Sequence, residues 1–150
     1  MSERLYLLDV NVLIALVDAE HVHHQFVLDW FDSASVKQQG WAVCALTESA
    51  LVRIFSGPGY PSTTIDEAFE VLEAMQQFAG YHYWPIADSL LSVTAAFRDR
   101  VFGHKQITDA FLLGLAVKHH GVLVTLDKGV KYMAGPQYQK HVRLLEPGQN

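Results

Sequence analysis

The sequence is poor in the features that would place it in several large protein classes. Among its 150 residues there is one cysteine, Cys44. A lone thiol cannot staple a fold, so a secreted disulfide framework is excluded. It lies in Trp41-Ala42-Val43-Cys44-Ala45-Leu46, where it reads as a small buried apolar residue. No apolar run approaches the ~20 residues needed to span a bilayer. The start, Met1-Ser2-Glu3-Arg4 followed by Leu5-Tyr6-Leu7-Leu8-Asp9, has no signal-peptide form. These absences predict a soluble cytoplasmic protein without membrane association. No repeat, low-complexity tract or linker divides the chain, so a single domain over residues 1–150 is expected.

Charge is also scarce. Asp, Glu, Lys and Arg make up 18% of the chain, against a 50% apolar share. Such a surface is thinly charged and hints that a partner covers part of it. Excess basic charge is missing altogether, because the formal net charge is −5. A module that grips nucleic acid by charge alone is usually basic. An enzyme that meets nucleic acid through bound cations is not excluded, since cations reverse the local sign of an acidic site.

What is present is a regular alternation. Leu5-Tyr6-Leu7-Leu8 reads as a buried strand ending at Asp9, and Val10–Val17 begins a helix directly after it. From Glu20 to about Lys37, apolar residues recur at helical spacing (Val22, Phe26, Val27, Trp30, Phe31) until Gln38-Gln39-Gly40. Trp41–Ala45 predicts a second strand. Thr47 offers an N-cap hydroxyl for a helix to Phe55, with Glu48 in its first turn. The segment from Ser56 to Ser62, rich in Gly and Pro, is a loop. Helices are expected over Asp66–Phe78, over Ser89–Arg100 with Leu90, Val93, Ala96 and Phe97 inward, and over the nearly all-apolar Ile107–His119. Strands are expected at Tyr81–Trp84, Val122–Thr125 and His141–Leu145. The pattern predicts an α/β fold of three layers, a mainly parallel sheet of about five strands with helices on both faces.

Four carboxylates stand out against this frame. In parallel sheets, ligands bind beyond the carboxyl ends of the strands. Asp9 follows the first strand, Asp127 follows Val122–Thr125, and Glu48 opens the helix after the second strand. Asp109 lies in the first turn of the Ile107–His119 helix, which follows another helix rather than a strand. A plain reading exists for each, because carboxylates favour helix starts and turns. Asp9 and Asp109 resist it most, since apolar neighbours make an idle charge costly. Carboxylates gathered in one pocket stay ionised only if cations neutralise them. Oxygen-only ligands select hard ions, Mg²⁺ or Mn²⁺. Such a site suits metal-assisted phosphodiester hydrolysis.

Leu8-Asp9-Val10-Asn11-Val12-Leu13-Ile14 resembles the opening motif of PIN-domain nucleases. Thr47-Glu48 before an apolar helix resembles their second acidic position. Ile107-Thr108-Asp109-Ala110-Phe111-Leu112 and Gly121-Val122-Leu123-Val124-Thr125-Leu126-Asp127 are similar to the third and fourth. The length and the His21–His24 segment most resemble the VapC toxins of toxin–antitoxin pairs. The resemblance implies a PIN-like α/β/α fold and a Mg²⁺- or Mn²⁺-dependent endoribonuclease leaving 5′-phosphate and 3′-hydroxyl ends. It also implies a homodimer and a cognate VapB-type antitoxin whose C-terminal segment covers the site. Carried over by position, Asp9 and Asp109 are the most direct metal ligands. Glu48 and Asp127 complete the set directly or through water, and Asn11 and Thr125 orient ligands.

Lys105 and Lys128, with His104 and Lys131 beside them, flank the acids as an RNA-backbone path requires, ordinary solvated charge being the plain alternative; for Arg53, about a turn and a half after Glu48, the two readings are contact with RNA phosphate and pairing with an acid. His21, His23 and His24 read as a polar helix entry rather than a metal cluster, and His119 and His120 as cations closing a helix. Tyr60 is the candidate exposed aromatic. The helices Glu48–Phe55 and Asp66–Phe78 are candidate dimer surfaces. Two other functions compete. An aspartyl-phosphate phosphatase of the HAD type needs a second acid two residues after the first, where this chain has Asn11. A non-catalytic PIN-fold scaffold typically loses acids that this chain keeps.

Overall fold

The computed structural model describes residues 4–148, with backbone alone at 34, 35 and 37. Met1–Glu3, the start of the N-terminus considered above, lie outside the described residues. Five short strands form one sheet: β1 (Tyr6–Leu8), β2 (Trp41–Val43), β3 (Tyr81–Tyr83), β4 (Val122–Thr125) and β5 (Val142–Leu144). Their spatial order is β3-β2-β1-β4-β5, and every pairing is parallel. All carboxyl ends therefore face one rim. Strand order reverses between β2 and β4, with β1 at the switch, where ligand crevices open in such sheets.

Alternation along the central strands builds two cores. Leu8, Trp41, Val43 and Val124 face one layer, with α1 (Val10–Val17), α2 (His24–Phe31), α3 (Ala34–Gln39), α4 (Ala45–Phe55) and α5 (Ile65–Met75). Leu7, Ala42 and Leu123 face the other, with Phe97, Val130 and the buried stretch Ala110–Ala116 of α7 (Gln106–Lys118). A strand buried on both faces needs apolar residues at every position, which is why these strands read as short apolar runs. Among the described residues no helix is long and apolar enough to cross a membrane.

Three local expectations change. The helix foreseen over Glu20–Lys37 is two helices, α2 and α3, separated near Asp32 and Ser33. The Ser89–Arg100 helix is α6 (Leu90–Thr94) followed by a 3₁₀ segment, Ala95–Arg100. Leu90 and Ala96 are consequently exposed, while Val93 and Phe97 turn inward. A helix with no counterpart in the sequence pattern, α8 (Lys128–Tyr138), follows β4. It kinks at Gly135 (φ 65°) ahead of Pro136, and the Arg100 guanidinium packs where a side chain on Gly135 would sit. Two glycines and a proline mask such a helix in sequence, because each is a breaker elsewhere.

α7 is the element that brings Asp109 to the rim. It packs on α6 so closely that a Cβ on Gly114 would collide with the Val93 carbonyl oxygen. Its start is fixed by the preceding turn: Gln106 Oε1 accepts from the backbone N–H groups of Phe102 (2.6 Å) and Gly103 (3.2 Å).

Candidate metal centre

Asp9 leaves the core at the end of β1 and caps α1, with 4% of its surface exposed. Its Oδ1 accepts from Val10 N (2.7 Å) and its Oδ2 from the Thr125 hydroxyl (2.8 Å). Thr125, the last residue of β4, is itself fully buried. Its oxygen accepts in turn from Asp127 N (3.1 Å) and, at a longer 3.4 Å, from Asn11 Nδ2. Asn11 Oδ1 accepts from Leu126 N (3.2 Å). One hydroxyl and one amide thus tie the start of α1 to the β4–α8 turn. That turn carries Asp127, which caps α8 by accepting from Gly129 N (2.8 Å).

The electrostatics place Asp109 with this pair. Burial raises its carboxyl to about 7, and the charges of Asp9 and Asp127 push the same way. Asp9 is raised too, chiefly by burial, with Asp127 adding to it and the Thr125 and Val10 hydrogen bonds opposing it. Asp9, Asp109 and the exposed Asp127 therefore lie near enough to feel one another's charge, each from the first turn or cap of a different helix. Helix N-termini favour anions, but here they do not restore ordinary acidity to Asp9 or Asp109. No lysine, arginine or histidine among the described residues forms an ion pair with any of the three; the Lys118–Asp88 pair lies elsewhere.

Glu48 stands apart from this trio. Burial alone raises its carboxyl, with no charge interaction from the three aspartates. Its own charge is felt by the Tyr81 phenol. It lines a hollow between α4 and α5 with Ser49, Val52, Arg53, Phe69 and Leu72. The local reason is a helix that starts earlier than expected. Cys44, not Thr47, is the N-cap, and the buried Thr47 hydroxyl accepts from Cys44 N (3.0 Å) inside the helix. Glu48 keeps its first-turn place on the rim.

Could these acids hold a divalent cation? The donor set fits in chemistry, being three mutually repelling carboxylates of oxygen only, with no cationic side chain among the described residues paired to them. The side chains do not form a ready cage: no set of three or more Asp, Glu, His or Cys among the described residues is drawn together closely enough to hold an ion.

Other foreseen residues resolve individually. Arg53, Lys105 and Lys128 are all exposed, in the last turn of α4, at the cap of α7 and at the first residue of α8. Tyr60 is not a free aromatic: it packs on Phe55 and donates to Asp18 Oδ2 (2.6 Å). His21 Nδ1 accepts from His23 N (3.0 Å), and His24 Nδ1 is 2.8 Å from the Ala15 carbonyl, so both rings are used locally. His119 stacks on Trp84 (4.2 Å, 9°) and is shifted toward its neutral form by burial, against the cationic cap expected of it. The Asn11 amide, its oxygen holding Leu126 N, is the contact that sequence spacing alone could not locate, because its partner is 115 positions away.

The PIN-domain family model matches residues 6–136. Ribonuclease VapC44 of Mycobacterium tuberculosis is 39% identical over 131 residues, 87% of this chain and 91% of that protein. Ribonuclease VapC29 of the same organism is 42% identical over 129 residues, 86% and 90% of the two chains. The crystal structure of VapBC2 from Rickettsia felis, bound to a DNA fragment from their promoter, shares the fold. Its TM-score is 0.64 at 12% identity, over 95% of this chain and 99% of that one. The chain belongs to the PIN-domain family, with VapC ribonucleases as its relatives.

Proposed function

We propose that this chain is an endoribonuclease of the toxin type that cuts RNA with the help of a bound divalent cation and is restrained by a cognate VapB-type antitoxin. The observation that carries the reading is the uncompensated aspartate trio at the switch of a parallel sheet. Its relatives' name, ribonuclease VapC, supplies the substrate class.

In this reading Asp9, Asp109 and Asp127 hold Mg²⁺ or Mn²⁺. When bound, the ion lowers the pKa of a water and offsets charge on the scissile phosphate. Asp9 is oriented by Thr125, and Asp127 is held in register with it through the Thr125 hydroxyl and the Asn11 amide. Glu48 completes the acid set only by turning its side chain in from the α5 side; the motif resemblance supports that role. Arg53, Lys105 and Lys128 are exposed cations available to the RNA backbone. A homodimer and a cytoplasmic location belong to the same reading.

The phosphatase alternative loses ground, because the Asn11 amide is committed at both ends and offers no second acid. The test is expression in cells followed by RNA end-mapping, wild type against Asp109→Ala. New 5′-phosphate ends and growth arrest with the wild type alone support the proposal. The same ends in both overturn it.

A further inference from the structure

A hollow of about 370 Å³ lined by Leu46, Ile86, Leu90, Ile107, Thr108 and Phe111 lies among the first turns of α4, α6 and α7. It bridges the two helix starts that carry Glu48 and Asp109: Leu46 is two residues before Glu48, and Ile107 and Thr108 immediately precede Asp109. Its rim is aliphatic and open, with Leu46 39%, Leu90 48% and Ile107 45% exposed, and its floor is the buried Phe111 ring. One hydroxyl, that of Thr108, is the sole polar side chain in the lining. The turn that Gln106 pins carries the exposed Lys105 and His104, two and three residues before Ile107.

We propose that this hollow receives an unpaired base of the substrate strand, next to the phosphate held at the aspartates; the inference rests on the ribonuclease reading above. Size decides between occupants. A stable protein interface takes about 20–30 residues from each side, whereas this hollow has the volume of a small-ligand site. Chain order agrees with a nucleotide: an apolar slot for a flat ring, the cation Lys105 two residues before its Ile107 wall, and the Asp109 carboxylate two residues after it. Enzymes that work on extruded bases hold them between apolar or aromatic side chains in the same manner. The Thr108 hydroxyl can meet one polar edge atom of the base, so the slot biases which base is accepted without enforcing it.

The test crosses two protein states with two RNA states. Leu90→Asn and Ile107→Asn polarise the rim without changing charge, at positions exposed enough to leave folding intact, which circular dichroism melting checks. Each protein is given single-stranded oligonucleotides in which one nucleotide at a time, on either side of the cut, is made abasic. Cleavage is followed in Mg²⁺, and anisotropy binding in Ca²⁺ reads affinity apart from chemistry. The proposal expects one abasic position to cost the wild type at least about fivefold, and to cost the rim variants nothing further. Base-dependent binding without cleavage would keep the slot and overturn the nuclease reading. Equal loss on intact and abasic RNA, or no sensitive position, overturns the slot. So does a wild-type dimer that the variants convert to monomer with unchanged base dependence, which assigns the hollow to a second copy.

Discussion

Asp9 and Asp18 stand at the two ends of α1 and fare in opposite ways. Asp9, at the N-terminal end where the helix dipole favours an anion, is raised by burial and by a second carboxylate. Asp18, at the C-terminal end where the dipole disfavours one, is held below the ordinary aspartate range, first by the Tyr60 hydrogen bond and further by His21 and His24. The dipole decides neither case; partners do. The chain satisfies Asp18 from its own side chains, whereas no cationic side chain among the described residues pairs with Asp9, Asp109 or Asp127. A carboxylate completed internally is structural. Three that repel one another at a sheet switch are what the proposed cation would neutralise.

The largest expected difference between the two ends is catalytic. Asp9→Ala and Asp109→Ala should lower cleavage of a labelled RNA more than about 100-fold, beyond the loss expected for a merely supporting residue. Asp18→Ala should leave the rate nearly unchanged. An equal loss from Asp18→Ala in a folded protein would erase the comparison. Glu48→Gln should fall between them, since its charge is not coupled to the trio.

Next is packing. Gly114→Val wedges α7 away from Val93 and should lower stability in urea by about 1–3 kcal/mol. It should also reduce cleavage, because α7 carries Asp109. At the other end, Tyr60→Phe removes one hydrogen bond to a solvent-accessible carboxylate and should cost about 1 kcal/mol while sparing cleavage. Loss of cleavage with Tyr60→Phe at full folding would show that the Asp18 end is part of the site.

The last difference is in pH dependence, and it runs in opposite directions for Asp109 and Asp18. In the metal-free protein, folded Asp109 holds its proton up to about 7, whereas the unfolded chain releases it in the ordinary aspartate range. Between those values the folded state binds more protons, so stability rises as pH falls. Asp18 is lowered, so its contribution is present above the ordinary range and is lost as pH falls through its depressed value. Melting scans should show Asp109→Asn flattening the slope between about pH 4 and 7, and Asp18→Asn flattening only the acid limb. Each kcal/mol moves the melting temperature by about 2–4 °C at this chain length.

How much of this was legible beforehand differs by residue. Asp9 was readable because a charge between Leu5–Leu8 and Val12–Leu16 has no plain excuse, and the structure buries it to 4% exposure. Asp109 was readable in type but not in place, since α7 follows a helix; the Gln106-pinned turn that aims it depends on one side chain. Glu48 was placed on the correct rim, yet its orientation follows from a helix start at Ala45 that a buried cysteine cap conceals. The three central strands, β1, β2 and β4, were legible because both faces are buried and each is a short apolar run. α8 was not, because Gly129, Gly135 and Pro136 imitate a loop while Val130, Met133 and Ala134 hold it in the second core. Asn11 and Tyr60 found partners far along the chain, which no local pattern encodes.

The most direct measurement is single-turnover cleavage of a single-stranded RNA by the purified chain, with EDTA and then with Mg²⁺ or Mn²⁺ restored. Cleavage abolished by EDTA, recovered by either ion in wild type and Asp18→Asn, and absent from Asp109→Asn is the predicted result. Robust cleavage that persists in EDTA would contradict a metal site built on the three aspartates.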